Sequence, residues 1–315
     1  MLRALLLELA KSSRLRRWIT SHGTTRSMAQ RFVPGEDLSH AIDAARACNR
    51  AGMTTSLDHL GENVLTREDA AHARASYTEA LDRIAIERID ANISLKLTHL
   101  GLDLGEDFCS EQLRIVTRRA AELQNFVRVD MEGSAYTDRT LRTVRRARAE
   151  SAAIGTVIQA YLYRSEDDIR SLLEVGCRIR LVKGAYKEPP GIAFRRKKDV
   201  DANFIKLMKI LLPSGTYHAL ATHDPKMIEA AIRFAAEQDI AKDKFEFQML
   251  YGIRTDLQSE LARQGYRVRV YIPFGRDWFP YFMRRLAERP ANLLFFAKNL
   301  FRAGSPPRVN EIKAP

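Results

Sequence analysis

Short apolar runs alternate with longer amphipathic stretches along this chain. Eight of the runs are rich in β-branched or aromatic residues, and most of them end on a polar or ionisable side chain. These runs are Met53–Leu57, Ile93–Leu95, Phe126–Val129, Thr156–Ile158, Ile179–Val182, Tyr217–Ala221, Phe245–Phe247 and Val268–Val270. Strands that alternate with helices are typical of βα units around a parallel sheet, and eight such units predict a closed (β/α)8 barrel. Because the active sites of these barrels lie at the C-terminal ends of the strands, the polar endings indicate an enzyme.

The stretches between the predicted strands are long enough for one crossover helix each. The predicted helices are Arg67–Ile86, Cys109–Leu123, Asp138–Ala153, Ser165–Glu174, Val200–Leu211, Pro225–Glu237 and Arg254–Gln264. Residues 1–50 are predicted to form an N-terminal helical extension, and residues 51–303 the barrel domain. The barrel domain would end in the long aromatic and basic segment Asp277–Leu300, followed by a C-terminal tail at 304–315.

The length and composition fit a single globular enzyme. A barrel typically takes about 250 residues, and this chain has 315. Hydrophobic residues make up 45% and charged residues 29%, an ordinary balance for a domain with a large core. The formal net charge of +12 favours an anionic partner, such as a phosphate-bearing cofactor, a carboxylate substrate, nucleic acid or an acidic membrane surface.

The cysteines and the N-terminus predict a reducing, cytoplasmic location. Cys48, Cys109 and Cys177 are widely separated and lack metal-ligand spacing, so neither a disulfide framework nor a metal site is expected. Met1–Ala10 is too short and too charged for a signal peptide or a membrane span. As an amphipathic helix followed by the basic Arg14–Arg17, it would either make a peripheral contact with the inner face of the membrane or pack against the barrel.

Paired arginines follow the last predicted strand. Arg284 and Arg285 lie among aromatic residues, and Glu288 is one helical turn beyond Arg284. A hydrogen bond between charged groups contributes about 1.5–3 kcal/mol. With Lys96 at the end of the second strand, the pair predicts a clamp for a small carboxylate, although this pattern also fits a solvated helix face.

Other strand ends carry further candidate groups. Lys96 would bind an anion, form a Schiff base or pair with Asp130, and we take the ion pair at the barrel mouth as the default. In Arg180–Tyr186, two cations flank a buried run, and Gly184 allows the backbone to approach a ligand closely. A cation beside an electron-accepting ring would stabilise the charge that appears on reduction. His223 is a candidate for contacting the phosphate or sugar of a cofactor.

The chain resembles the proline dehydrogenase family along nearly the whole predicted barrel. The matching segments, in the family's order, are Leu95–Gly101, Val129–Ser134, Arg180–Tyr186, Ala221–Asp224, Gln248–Gly252 and Tyr271–Gly275, followed by the helix that carries Arg284 and Arg285. The resemblance implies a distorted (β/α)8 TIM-type barrel that binds FAD at its mouth. It also implies that the last helix lies over the barrel mouth, from where the arginine pair would reach the substrate.

The resemblance implies a role for each matching residue. The implied catalytic residues are Asp130 and Arg180, with Arg180 close to the flavin. The implied substrate-binding residues are Lys96, Tyr186, Leu250, Tyr271, Arg284, Arg285 and Glu288. The implied cofactor-binding residues are Met131, Gln159, Arg180, Lys183, Gly184, Ala185, Thr222 and His223. Three cations would then hold the substrate carboxylate, and two tyrosines and a leucine would surround the substrate ring.

The chemistry implied by the resemblance is oxidation of L-proline to 1-pyrroline-5-carboxylate, the first step of proline degradation to glutamate. A hydride would pass from the ring carbon next to nitrogen to N5 of FAD, and the electrons would go on to a membrane quinone. A separate 1-pyrroline-5-carboxylate dehydrogenase would consume the product, since the chain length leaves no room for a fused one. Because the amine must lose its proton and no dedicated base is evident, activity should rise with pH.

Two other functions stay open on the residues alone. Lys96 or Lys183 could act as the Schiff-base amine of a barrel aldolase or lyase, in which case the purified protein would carry no flavin. A basic nucleic-acid-binding module would bind DNA or RNA in a salt-sensitive way. The chain has no interleaved aromatic and basic motif, so no nucleic-acid partner is expected.

Overall fold

The computed structural model describes residues 30–288, with side chains through Arg285. Two predicted segments lie outside the described residues, namely the helices before residue 30 and the C-terminal tail. Their structure, and the membrane contact of the first helix, stay predictions. Within the described range, strands and helices alternate as the hydrophobic pattern predicts.

Eight parallel strands pair in sequence order, and the first pairs with the last to close the sheet. The strands are β1 Thr54–His59, β2 Ala91–Leu95, β3 Val127–Val129, β4 Ile154–Gln159, β5 Arg178–Val182, β6 His218–Ala221, β7 Phe245–Leu250 and β8 Arg267–Phe274. The closed order confirms the predicted (β/α)8 barrel. β8 extends well beyond the predicted Val268–Val270, because it pairs with β1 from Arg269 to Phe274.

Helices cover the outside of this sheet. They are α1 Leu38–Arg50, α2 Arg67–Ile86, α3 Glu106–Glu122, α4 Ser134–Glu150, α5 Ser165–Leu173, α6 Lys197–Leu211, α7 Pro225–Glu237, α8 Thr255–Arg263 and α9 Trp278–Glu288. Local capping explains two starts that the sequence predicts at the observed residue. The Thr66 side chain accepts from the N–H of Asp69 before α2, and the Asp224 side chain accepts from the N–H of Lys226 in α7.

Helix α4 begins at Ser134, four residues before the predicted start at Asp138. The N–H of Ser134 donates to Oε1 of Glu188 at 2.8 Å, and Glu188 belongs to the loop after β5. This bond satisfies one of the N–H groups that the first turn of a helix leaves without an intrahelical partner. The predicted start was wrong because the capping group comes from 54 residues further along the chain.

The lumen of the barrel is partly polar instead of uniformly aliphatic. Near its N-terminal end, Nε of Arg269 donates to both carboxylate oxygens of Glu246, at 2.9 and 3.0 Å. The buried Arg128 guanidinium donates to the backbone carbonyls of Thr156 and Arg178 at 3.0 and 2.6 Å. Buried charges need such partners to offset their lost hydration, so this layer fixes the strands around it.

A cavity of about 750 Å³ opens at the N-terminal end of the barrel. It is lined mainly by the loops at 88–92, 123–126 and 151–153. In barrels of this kind the N-terminal face serves stability, whereas the C-terminal ends of the strands carry the chemistry. The candidate site therefore lies at the opposite end.

The last helix, α9, is fixed to the segment that precedes α1. The indole nitrogen of Trp278 donates to Oε1 of Glu36 at 3.0 Å, and the ring centroids of Phe282 and Phe32 are 6.1 Å apart. These contacts join the two ends of the described chain. They hold α9 at the C-terminal mouth of the barrel, over which the resemblance places the last helix.

A buried histidine predicts that the fold loses stability in mild acid. His218 is 1% exposed, its Nδ1 accepts from the N–H of Ile179 at 3.0 Å, and its Nε2 lies 2.9 Å from Oγ of Ser214. Burial, together with the positive charge of Arg128, lowers the pKa of His218 to about 3. Below pH 6.5 the unfolded chain therefore binds a proton that the folded protein does not, and stability falls as the pH falls towards 3.

We expect His218→Asn to reduce this loss. The drop in the free energy of unfolding between pH 7 and pH 5 should be smaller than in the unsubstituted protein by about 2 kcal/mol. Urea unfolding at the two pH values measures it. His72→Asn, at an exposed helix position, is the matched control and should leave the drop unchanged. Equal drops in the unsubstituted protein and His218→Asn would contradict the prediction.

Candidate active site

Side chains from three strands meet on one carboxylate at the C-terminal end of the lumen. Asp130, which follows β3, accepts from the hydroxyl of Tyr271 on β8 at 2.7 Å and from Nη1 of Arg180 on β5 at 2.7 Å. It also accepts from Oγ of Ser94 on β2 at 2.8 Å. Three donors around one carboxylate hold it in a fixed position. The two residues predicted to be catalytic, Asp130 and Arg180, are thus in direct contact.

Lys96 has a different partner from the predicted one. Its Nζ lies 3.5 Å from Oδ1 of Asp58, a residue of β1 that is 1% exposed. Asp58 stands opposite Ser94 in the β1–β2 register, close to Lys96, whereas the oxygens of Asp130 are occupied by Arg180, Tyr271 and Ser94. The predicted ion pair between Lys96 and Asp130 was therefore wrong.

The charge of Lys96 is set by its surroundings. Burial lowers the pKa of its ammonium group, but the carboxylates of Asp58 and Asp130 outweigh burial and raise the pKa well above its ordinary value. Burial also raises the pKa of Asp58, whereas the Lys96 charge lowers it. At neutral pH Lys96 is a cation, available to bind an anion and not to attack a carbonyl group.

Arg180 is a buried cation with donors to spare. The residue is 4% exposed, and its Nη1 donates to Asp130 and Ser94. Within residues 30–288, no acceptor lies within hydrogen-bonding distance of its buried Nε and Nη2. Its guanidinium carbon lies 5.2 Å from the ring centroid of Tyr271. A buried donor without an acceptor costs about 1–3 kcal/mol, so these two groups indicate a ligand that accepts hydrogen bonds.

Residues from three further segments share the electrostatic surroundings of Lys96. Burial raises the pKa of Tyr186 to about 12, whereas the charges of Lys96 and Arg284 lower it. Arg284, on α9, has its Nη1 3.8 Å from Oε1 of Glu62 in the loop after β1. The structure therefore brings Tyr186, Lys96 and Arg284 to the same mouth.

The second arginine of α9 lies against an aromatic ring. The guanidinium carbon of Arg285 is 5.0 Å from the ring centroid of Tyr281, and Arg285 is partly buried. Glu288 is the last residue of α9, and the prediction that it supports the arginine pair concerns a side chain outside the described part.

The loop after β5 presents its backbone at the mouth. Gly184 has φ +113°, a conformation that side chains with a Cβ rarely adopt, and a Cβ there would overlap the ring of Tyr161. The preceding Lys183 donates to Asp224 at 2.7 Å and also pairs with Asp201. Ala185 is exposed. The loop therefore places Gly184 and the exposed Ala185 at the mouth, and the Lys183 ammonium is already paired with carboxylates.

The remaining predicted site residues stand at the ends of other strands. His223 accepts at Nε2 from the N–H of Leu250 at 3.0 Å, and Leu250 is level with Tyr271 in the β7–β8 register. Gln159 donates to the backbone carbonyl of Glu132 at 2.9 Å. Met131 and Thr222 are buried at the same end of the barrel. All of these residues surround the mouth, and their predicted flavin contacts stay predictions.

Sequence reasoning missed several polar residues of this site. Ser94 lies two residues before Lys96, so both side chains point to the same, lumen-facing side of β2. This period-two signal could have identified Ser94. Asp58 directly follows the apolar run Met53–Leu57, and this polar strand ending could have identified it. Glu62 and Tyr161 carry no periodic or motif signal, because loops position them.

The match to a family model coincides with this barrel. The model described as "Proline dehydrogenase" matches residues 41–298. The chain belongs to the proline dehydrogenase family. As a member of the proline dehydrogenase family it is an oxidoreductase, and the resemblance drawn from the sequence is confirmed.

Relatives in the proline dehydrogenase family are similar over most of the chain. Proline dehydrogenase 1 of Bacillus subtilis (strain 168) is 42% identical over 302 residues, which cover 96% of this chain and 100% of that protein. The proline dehydrogenase of Deinococcus radiodurans is 41% identical over 281 residues, which cover 88% of this chain and 91% of that protein.

A solved structure has a similar fold. It is proline utilization A (PutA) from Bdellovibrio bacteriovorus inactivated by N-propargylglycine, with a TM-score of 0.79 and 28% sequence identity. The similarity covers 84% of this chain and 33% of that chain. This chain therefore corresponds to about a third of the length of that protein.

Proposed function

We propose that this chain catalyses the FAD-dependent oxidation of L-proline to 1-pyrroline-5-carboxylate. The observation that carries the proposal is the buried Arg180 guanidinium, whose Nε and Nη2 have no hydrogen-bond partner within residues 30–288, at the same mouth as the cations Lys96 and Arg284. Family membership and the relatives named proline dehydrogenase support the same conclusion.

The cations at the mouth fit an amino-acid carboxylate. We assign Lys96, Arg284 and Arg285 as its ligands, since the first two share one electrostatic environment and the third is adjacent on α9. An Arg–carboxylate bond between charged groups contributes about 1.5–3 kcal/mol, so the clamp binds a small zwitterion tightly enough to orient it. Leu250 and Tyr271, side by side on β7 and β8, would form a wall of the ring pocket with Tyr186 opposite.

The residues around the mouth fit a flavin. We assign Met131, Gln159, Lys183, Gly184, Ala185, Thr222 and His223 as its contacts. A bound flavin supplies the two-electron acceptor for the oxidation. Arg180 would donate its unsatisfied N–H groups to acceptors on the flavin ring and stabilise the negative charge of the reduced state. Asp130 would hold Arg180 in place through their 2.7 Å hydrogen bond.

The protonation of Lys96 weighs against a Schiff-base aldolase. A lysine nucleophile needs a lowered pKa, whereas the carboxylates of Asp58 and Asp130 raise the pKa of Lys96. Lys183, the other candidate amine, is paired with Asp201 and Asp224. Both amines therefore act as charges in the proposed reaction.

The proposal extends to the protein's surroundings. Electrons would pass to a membrane quinone, and a separate 1-pyrroline-5-carboxylate dehydrogenase would consume the product. The net charge of +12 supports a peripheral contact with an anionic membrane surface from the cytoplasmic side. In residues 30–288, every helix is too short or too polar to cross a membrane. We propose an N-terminal helical extension at 1–50, a barrel domain at 51–303 and a C-terminal tail at 304–315.

Spectroscopy of the purified protein tests the proposed function. The protein should be yellow, its flavin absorbance should bleach on addition of proline, and proline should reduce a quinone analogue. Arg284→Ala and Arg285→Ala should each lower kcat/KM by about ten- to a hundredfold, mainly through KM, because each removes one bond to the carboxylate. Arg118→Ala, at an exposed position on α3, is the control. A colourless protein, or a flavin that proline does not bleach, would refute the proposal.

A further inference from the structure

Tyr161, in the loop between β4 and α5, forms hydrogen bonds with both the start and the end of the loop that follows β5. The N–H of Tyr161 donates to the carbonyl of Lys183 at 2.9 Å, and the carbonyl of Tyr161 accepts from the N–H of Phe194 at 2.7 Å. Lys183 opens the β5–α6 loop, and Phe194 lies near its end. Tyr161, which is 7% exposed, therefore fixes where the loop leaves the barrel and where it returns.

The ring of the same tyrosine fixes the path of the loop. It lies against Gly184, where a side chain would overlap it, and Gly184 has a positive φ. Its hydroxyl donates to Oε1 of Glu188 at 3.1 Å, further along the loop. Tyr161 thus contacts the first two residues of the segment that we assign to the flavin and the substrate, and it also contacts the loop after that segment.

Glu188 carries the connection on to a second loop. Its Oε1 accepts from the N–H of Ser134 at 2.8 Å, and its Oε2 accepts from Oγ of Ser134. Ser134 begins α4 and directly follows the segment Asp130–Gly133. A carboxylate at the N-terminus of a helix is further stabilised by the helix dipole. Glu188 therefore binds the β5–α6 loop and the β3–α4 loop to each other.

We infer that Tyr161 and Glu188 form a positioning pair that sets the segment Lys183–Tyr186 relative to Asp130. The inference rests on the proposed function, because it is that function which gives both segments a role in the site. Tyr161 and Glu188 are not among the residues that we assign to the substrate or the flavin, so their effect passes through the loops. Small displacements of residues that orient a substrate lower the rate steeply, which makes such a pair functionally important.

Substitutions that remove one contact at a time test the pair. Tyr161→Phe keeps the ring against Gly184 and removes the hydroxyl, and Glu188→Ala removes both acceptor oxygens. Each should lower kcat/KM for proline by about tenfold, mainly through a higher KM, because the loop no longer holds Tyr186 in its position at the site. The double variant should be no worse than Glu188→Ala, since both changes break one connection.

Conservative and neighbouring variants provide the controls. In Glu188→Gln the amide oxygen can accept from Tyr161 and Ser134 while the amide nitrogen faces Oγ of Ser134, so kcat/KM should stay within about twofold of the unsubstituted value. Tyr163→Phe removes a hydroxyl 3.4 Å from the carbonyl of Pro190 in the same loop, outside the pair, and should have no effect.

Hydrogen exchange gives a readout that does not depend on activity. In the flavin-free protein, amides of Lys183–Glu188 should exchange faster in Tyr161→Phe and Glu188→Ala, while amides of the barrel strands keep their protection. Unchanged exchange and unchanged KM in both variants would overturn the inference, as would a Glu188→Gln variant as impaired as Glu188→Ala. If the unsubstituted protein fails to oxidise proline but the exchange pattern holds, the proposed function fails and the loop connection stands.

Discussion

The Arg180→Met variant is expected to lose about a thousandfold in kcat/KM for proline, the typical effect of removing one preorganised charge from a transition state. Arg180 is buried, is oriented by Asp130 at 2.7 Å, and its Nε and Nη2 have no hydrogen-bond partner in the described part of the chain. Because methionine fills similar space without a charge, the change removes the electrostatic contribution and keeps the packing. The reduction rate of the bound flavin should fall with it, as stopped-flow absorbance would show.

Two comparisons separate this electrostatic role from a loss of folding. Arg180→Lys keeps a positive charge but loses the planar donor set, so its rate should fall between those of the methionine variant and the unsubstituted protein. Arg118→Met, at an exposed site, should behave like the unsubstituted protein. A folded Arg180→Met variant that reduces its flavin at the unsubstituted rate would remove Arg180 from the mechanism.

Lys96→Met is expected to lower kcat/KM about a hundredfold, almost entirely through KM, because the substrate carboxylate loses a charged partner. It should also lower the free energy of unfolding by about 3 kcal/mol, since Asp58 is 1% exposed and would keep a buried charge without its cation. Proline titration of activity and urea unfolding measure the two effects.

A double variant distinguishes the two roles of Lys96. Lys96→Met combined with Asp58→Asn removes both charges of the buried pair, so stability should return to near the unsubstituted value. Substrate affinity should stay low, because the carboxylate ligand is still missing. If the double variant recovers both stability and KM, Lys96 serves only to neutralise Asp58, and the carboxylate clamp consists of the arginines alone.

The hydrophobic pattern was enough to predict the barrel but not which charged side chains pair in its lumen. Alternating runs gave all eight strands, and Thr66 and Asp224 marked the starts of two helices, because capping and amphipathicity are local properties. The partner of Lys96 was mistaken. Which lumen residues face one another depends on strand tilt and stagger, and single-sequence spacing does not contain that information.

The candidate site was predictable at several strand ends, whereas Ser94 and Asp58 within strands and the residues that loops place were missed. Lys96, Asp130 and Arg180 stand at or near strand ends, and the structure brings them to one mouth. Tyr161 and Glu188 lie in loops and meet only because the β4–α5 and β5–α6 loops run side by side. Their contact has no counterpart in periodicity or in a short motif.

The pairing of β1 with β8 brings together residues from opposite ends of the barrel sequence, such as Ser56 and Tyr271. During synthesis on the ribosome, the chain must therefore wait with an open strand edge until β8 has emerged. Tyr271, which completes the bonds around Asp130, arrives in that final strand. A nascent chain stalled before β8 therefore lacks the Tyr271 bond to Asp130 and exposes the unpaired edges of β1 and β7, which makes late truncations targets for chaperones and proteases.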